Sequence, residues 1–211
     1  VEVSGDFPKL SIVIPAKSKQ DPLLKDLLDS ISLQSFPKSH LQIIVETRGN
    51  SEQAKAYGIQ KATGDIIGFF CTDNYIRDKG FLTSMACLNH YMSYDGVYTA
   101  YYDHVEGDKP LSRYFALLGA NDPICWWLGK ADRLSYVQDS PSKCLWFKDS
   151  IPSLGDNGFF IKRKILENIT VNDFDFILQT ILLNHPPRQP NHQPVFFYAN
   201  CLGVEIFRGH D

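Results

Sequence analysis

The chain has 211 residues, 44% hydrophobic and 21% charged, with a formal net charge of −3 at pH 7. That length and balance suit one large globular domain with a well-buried core. The slight negative charge excludes a general electrostatic pull toward nucleic acid.

Leu10 to Ile14 reads as a buried strand closed by Pro15. Pro22 to Leu33 carries Leu23, Leu24, Leu27, Leu28 and Ile31 at helical spacing, with Asp21 as N-cap and Pro22 in the first helical position. Leu41 to Val45 is a second strand, and Ser51 to Ala62 a helix opened by Asn50 or Ser51. Asp65 to Cys71 is a third strand, with Ile66, Ile67, Phe69 and Phe70 apolar enough for burial on both faces. Strand, helix, strand, helix, strand predicts right-handed crossovers and a parallel sheet. Ligands of such sheets bind beyond the carboxyl ends of the strands. Asp73, in the short polar turn after the third strand, is thus placed where a hard cation and a phosphorylated ligand would meet. The plainer reading of Asp73 is a turn carboxylate capping the next segment.

The second half is less regular. Lys79 to Met92 reads as a helix, Gly96 to Tyr102 as a strand and Leu111 to Leu118 as helical. Asn121 to Leu145 has no clear period and contains the Trp126-Trp127 pair. Gly158 to Lys162 is a short strand, Asp173 to Leu183 a helix, and Val195 to Tyr198 and Val204 to Phe207 are strands. One domain spanning 1–211 is expected, with a regular half over about 9–102 and an irregular half over about 103–211 that shapes an acceptor site. Aromatic content of 13% suits a carbohydrate or nucleoside site, although large cores use aromatics too.

The cysteines Cys71, Cys87, Cys125, Cys144 and Cys201 form no CxxC pair or regular framework, which points to reduced thiols and a cytoplasmic setting. The six histidines show no HExxH-type zinc pattern. No run approaches about 18 uninterrupted apolar residues, so no bilayer-spanning helix is expected, and no signal peptide is visible. The chain stops at Asp211 directly after an apparent strand, and a longer parent chain is expected.

Four pieces, taken in order and spacing, carry a resemblance: Leu10-Ser11-Ile12-Val13-Ile14-Pro15-Ala16, then Gln42-Ile43-Ile44-Val45-Glu46, then Ala54 to Phe69 with Gly58 and Gly64, then Cys71-Thr72-Asp73. Together they resemble glycosyltransferase family 2, of the GT-A fold. The likeness covers residues 9–77 well and partly returns over 158–183. It implies an α/β, GT-A-like three-layer α/β/α sandwich with a mostly parallel central sheet and a nucleotide-binding N-terminal half. It also implies transfer of a sugar from a nucleoside diphosphate donor, UDP by the family's habit, to a hydroxyl acceptor with inversion.

Three departures stand out. Ala16-Lys17-Ser18 replaces the family's Tyr-Asn turn, Glu46 stands at the uracil-contacting Asp, and Cys71 replaces the first Asp of the DxD motif. The resemblance implies that Asp73 contacts a divalent Mn²⁺ or Mg²⁺ bridging the diphosphate, with His210 as a late metal or diphosphate ligand. Such cations favour carboxylate and water ligands and often take only one or two protein carboxylates. Pro15 and Ala16 would present backbone to base and ribose, Glu46 would accept the imide N–H of uracil, and Lys55 would reach base or phosphate, with Arg48 nearby. Glu46 reads otherwise as an exposed strand end and Lys55 as a solvated helix face.

Asn172-Asp173 occupies the place of the family's "ED" motif, which implies Asp173 as the base that takes the acceptor proton. Asp173 is also an ordinary first-turn helix residue. Asp156, in Gly155-Asp156-Asn157-Gly158, is the competing base, and the same stretch reads as a turn. Asp122, Trp126, Trp127 and Asn157 are candidates for the acceptor site, Trp rings being suited to sugar faces and membrane interfaces but commonest in cores. The acceptor class expected is a glycan, a lipid-linked intermediate or another hydroxyl compound, with peripheral association at the cytoplasmic face of a membrane. Two rivals are a non-catalytic nucleotide- or glycan-binding module and a nucleotidyltransferase of similar fold. The second wants a Gly-rich basic loop after the first strand, and Ala16-Lys17-Ser18-Lys19-Gln20 has no glycine.

Overall fold

β1 (Leu10–Pro15) is buried along its length as far as Ile14. It lies between two parallel neighbours, β2 (Leu41–Glu46) and β3 (Ile66–Phe69). Alternate side chains of a strand go to opposite faces. Leu10, Ile12 and Ile14 join a cluster with Leu24, Leu27 and Ile31 of α1 (Pro22–Ser32). On the other face, Val13 packs on Gly58 of α2 (Ser51–Lys61), so closely that a β-carbon there would collide with its methyl groups. The two crossover helices therefore cover opposite faces. Phe81, Leu82, Met85 and Ala86 of α3 (Phe81–Tyr91) enter the same cluster as α1, which completes three layers. The computed structural model describes residues 7–91, 96–99, 107, 109–111, 144–146, 158–166, 195–199 and 204–205.

Both crossover helices start on side-chain caps. Asp21 Oδ1 accepts the Leu23 N–H at 3.0 Å, and Pro22 follows it without a donor to lose. Asn50 and Gln53 form a reciprocal capping box: Asn50 Oδ1 accepts the Gln53 N–H at 2.9 Å and Gln53 Oε1 accepts the Asn50 N–H at 3.1 Å. At the far end of α1, Lys38 Nζ donates to the carbonyls of Ile31 at 3.1 Å and Ser32 at 2.8 Å, placing a cation where the helix is negative.

The remaining strands of the main sheet are β5 (Gly96–Thr99), β6 (Cys144–Trp146), β7 (Phe159–Lys162) and β8 (Val195–Ala199). The order is β2-β1-β3-β7-β5-β8-β6. Strands β2, β1, β3, β5 and β8 run one way; β7 and β6 run the other. The sheet is thus mostly parallel, with β7 inserted as a reversal beside β3. Phe70, Phe81 and Phe160 meet edge to face at 5.8 to 6.2 Å, and Phe69 stacks on Phe159 at 6.3 Å. Each fully buried ring contributes about 1.5–3 kcal/mol relative to exposure, so this junction holds the end of β3 firmly.

Most expected elements appear within a residue or two of their bounds. The third strand ends at Phe69 and not at Cys71, because Asn74 draws Cys71 into the following turn. Val204 and Glu205 (β9) pair with Tyr75 and Ile76 (β4) in a separate two-stranded sheet and not with the main one. Strands β4 and β6 were not expected from the sequence. The helix expected at Leu111 to Leu118 is described only at Leu111, which is helical together with the preceding Pro110. The helix expected at Asp173 to Leu183 lies outside the described residues. No helix among the described residues is long and apolar enough to cross a membrane.

Candidate functional site

Parallel strands end on the same side of the sheet, and the helices that follow them begin there. At that edge the ends of β1, β2 and β3 surround a cavity of about 560 Å³. Pro15, Ala16 and Lys17 line it after β1, Thr47 and Gly49 after β2, and Cys71, Thr72 and Asp73 after β3. The first turns of α1 and α2 also line it, through Asp21 and Leu23 and through Asn50, Ser51 and Ala54. Two helix N-termini thus open on one cavity. Their free N–H groups and aligned dipoles favour negative charge.

Asp73 is half-buried in a turn that Asn74 organises. Asn74 is 1% exposed. Its Oδ1 accepts the Cys71 N–H at 3.0 Å, its own N–H donates to the Cys71 carbonyl at 3.1 Å, and its Nδ2 donates to Asp73 Oδ1 at 3.4 Å. Asn74 therefore sets the position of the one carboxylate that the third strand offers to the cavity. Among the described residues no group of three or more His, Cys, Asp or Glu side chains forms a complete metal cage. A single carboxylate is still a fit for Mn²⁺ or Mg²⁺, which keep waters and phosphate oxygens as their other ligands.

Glu46, Arg48 and Lys55 are described but do not line this cavity. The Glu46 side chain is buried at the end of β2 and gathers five donors. Oε1 accepts from the Thr47 N–H at 3.0 Å, the Arg48 N–H at 3.2 Å and Arg48 Nε at 2.9 Å. Oε2 accepts from Arg48 Nη2 and Lys61 Nζ, both at 2.8 Å. Hydrogen bonding by the Arg48 side chain, opposed by burial and helped by Lys61 and the two amides, holds the Glu46 carboxyl well below the usual carboxylate range. The Arg48 guanidinium lies 3.8 Å from the centroid of the Tyr57 ring. Its pKa is raised, chiefly by the hydrogen bond to Glu46.

Lys55 is not the solvated helix residue that its charge suggests. It is 2% exposed, and its Nζ donates to Glu52 Oε1 at 2.6 Å.

Of the remaining expected site residues, Asp122, Trp126, Trp127, Asp156, Asn157, Asp173 and His210 lie outside the described residues. The chain is described again at Gly158, whose N–H donates to the Phe69 carbonyl at 2.9 Å, next to the cavity end of β3. The structure adds cavity residues that sequence reading missed as site candidates, notably Asp21, Thr47, Asn50 and Ser51. The signal was present for Asp21, Asn50 and Ser51: each was read as a helix cap, and caps of crossover helices fall at the ligand-binding edge of a parallel sheet.

No family profile matches the chain. No curated protein matches it by sequence. Solved structures do match its fold. Residues 1–349 of S. aureus TarS align with 93% of the chain at 14% identity and a TM-score of 0.55. The same TarS piece in complex with UDP-GlcNAc aligns with 96% at 13% identity and a TM-score of 0.54. The mannosyltransferase PcManGT of Pyrobaculum calidifontis, in complex with GDP-Man and Mn²⁺, aligns with 91% at 15% identity and a TM-score of 0.55. The chain spans 59% of the TarS piece and 55% of the mannosyltransferase. At such identities the likeness establishes the fold alone, a GT-A-like α/β/α sandwich.

Proposed function

We propose that this chain binds a nucleoside diphosphate sugar, with UDP the first nucleotide to test, and transfers the sugar to a hydroxyl acceptor. The observation that carries the reading is the cavity itself. It sits at the carboxyl ends of three parallel strands, takes two helix N-termini, and has the Asp73 carboxylate on its wall. TarS with UDP-GlcNAc and the mannosyltransferase with GDP-Man and Mn²⁺ support donors of this class on this fold.

In such a reaction the leaving diphosphate gains negative charge as the glycosidic bond breaks. The first turns of α1 and α2 would stabilise that charge. Asp73, steadied by Asn74, would hold Mn²⁺ or Mg²⁺, and His210 is the second ligand we propose. The cation supplies charge neutralisation at the diphosphate when bound. Pro15 and Ala16 would face the nucleoside. The Ala16 N–H is already donated to the Glu46 carbonyl at 2.9 Å, so Ala16 offers its carbonyl and β-carbon instead. Asp173 is our candidate for the base, with Asp156 as the alternative. Return of the chain at Gly158 beside β3 supports the alternative. Attack by the deprotonated acceptor from the face opposite the leaving group would invert the anomeric carbon. Asp122, Trp126, Trp127 and Asn157 complete the proposal on the acceptor side, with a glycan or lipid-linked acceptor at the cytoplasmic face of a membrane.

Thermal unfolding against a panel of nucleotide sugars tests the reading, because a ligand that binds only the folded state raises its melting temperature. UDP- or GDP-sugars with Mn²⁺ should stabilise the protein, and a stabilising donor should be turned over with acceptor. Silence across the panel would reject the proposal. One observation favours a second reading, a binding module without turnover: Cys71 stands on the cavity wall where a second carboxylate would help hold the cation. Metal-linked UDP binding with no transfer or donor hydrolysis would select it.

A further inference from the structure

The Glu46 carboxylate has no capacity left for a ligand. An ionised carboxylate offers about four lone-pair sites, and Glu46 already accepts from two backbone amides, two Arg48 nitrogens and Lys61 Nζ. It is 4% exposed and is not on the cavity wall. What it holds does reach the cavity. The Thr47 and Arg48 amides open the turn that leads into α2, and Thr47, Gly49 and Asn50 of that turn line the cavity. Gly49 adopts a φ of 71°, a left-handed conformation. From there the chain passes to Asn50, the α2 cap. Arg48 is held from two sides, by Glu46 and by the Tyr57 ring. Lys61 reaches Glu46 from the last residue of α2. One buried carboxylate thus ties the end of β2 and the C-terminal end of α2 to the turn between them.

We infer that Glu46 is a positioning residue that clamps this turn to the cavity wall, and that Thr47 reads the edge of the donor's base in its place. The inference rests on the donor-binding reading above. It makes a chemical distinction. Uracil carries an imide N–H at N3 that a carboxylate would accept; cytosine has a bare acceptor nitrogen there. A carboxylate in contact with the base would therefore favour UDP over CDP, and its replacement by an amide would cost UDP more. A clamp affects both nucleotides alike, because it moves the wall and not one contact.

Calorimetric titration of UDP and CDP, with Mn²⁺, into wild type, Glu46→Gln and Thr47→Val separates the two, at a temperature where all three are folded. Glu46→Gln should weaken both nucleotides by about the same factor, of order tenfold, and leave their ratio unchanged. Thr47→Val should change the ratio by about threefold or more. A selective loss of UDP in Glu46→Gln would overturn the inference, as would unchanged affinity for both nucleotides. An unchanged ratio in Thr47→Val would overturn the part assigned to Thr47. A nucleotide-free readout protects the test: amide hydrogen exchange at Thr47 and Arg48 should quicken about tenfold or more in Glu46→Gln while the middle of α2 stays protected. Unchanged exchange there would overturn the clamp. If wild type bound neither nucleotide, the donor-binding reading would fail with the base-reading role of Thr47, and the exchange rates alone would decide the clamp.

Discussion

Two buried polar side chains, Asn74 in the turn after β3 and Glu46 at the end of β2, each bond to the backbone of a turn that lines the cavity. Asn74→Ala removes the acceptor of the Cys71 N–H and the donor to Asp73 Oδ1. It should cost about 1–3 kcal/mol of stability. It should also weaken metal-linked UDP binding more than a neutral surface variant of equal stability does, which paired denaturation and titration will measure. For Glu46, the folded-state pKa lies below its ordinary value of 4.5. A carboxyl with a depressed folded-state pKa adds stability that is complete above the unfolded value and is lost as pH falls through the folded one. The stability difference between wild type and Glu46→Gln should therefore be flat from about pH 6 to 8 and shrink once the pH drops below about 4. Urea denaturation across that range reads it. A difference that grows on acidification would contradict the clamp. The placement of Asp73 at the cavity edge was legible because a run of buried apolar residues ends beside it. The work of Glu46 was not, because Lys61 lies 15 residues away in sequence and only the fold brings it near. Lys55 was misleading for a similar reason: α2 has no clean apolar stripe, so its buried face is set by the sheet beneath and not by its own pattern.

The crossover helices were the most legible elements, since their caps, proline and apolar spacing agree. Asn50→Ala should cost about 1 kcal/mol by removing the capping box and should loosen the cavity edge that Asn50 lines. Gly58 makes a different demand. Alanine would raise helix propensity by about 1 kcal/mol, but its β-carbon would strike Val13, a stiff β-branched side chain in β1. The steric cost, about 1–3 kcal/mol, should win, and Gly58→Ala should be destabilising. The penalty should shrink in a Val13→Ala background, measured as a double-mutant cycle; additive effects would reject the close-approach argument. The strands missed were among the shortest. Tyr75–Ile76 and Cys144–Trp146 are too short to carry a readable period. The reversal of β7 was hidden too. A strand buried through Phe159, Phe160 and Ile161 shows the same apolar run whichever way it points.

At the scale of the molecule, the alternation of strand and helix brings three strand ends and two helix starts to one edge, and the cavity follows from that topology. The parallel first half could be read from residues 9–77 because each βα unit repeats the same local grammar. The later strands enter the sheet out of sequence order, with β7 between β3 and β5, and no local pattern encodes that. The residues proposed for the acceptor side lie outside those described, so Asp173→Asn is best read by function: under the proposed reaction it should spare UDP binding and abolish transfer, and retained transfer would reject Asp173 as the base. In the proposed function, the cavity beside Asp73 holds a nucleoside diphosphate through a divalent cation. Calorimetric titration of UDP and GDP into wild type and Asp73→Asn, each with and without Mn²⁺, puts that binding to the test. Wild type should bind in a manner that depends on Mn²⁺, and that binding should disappear in an Asp73→Asn protein of unchanged fold. Binding indifferent to both the metal and the substitution, or no binding of either nucleotide, would contradict it.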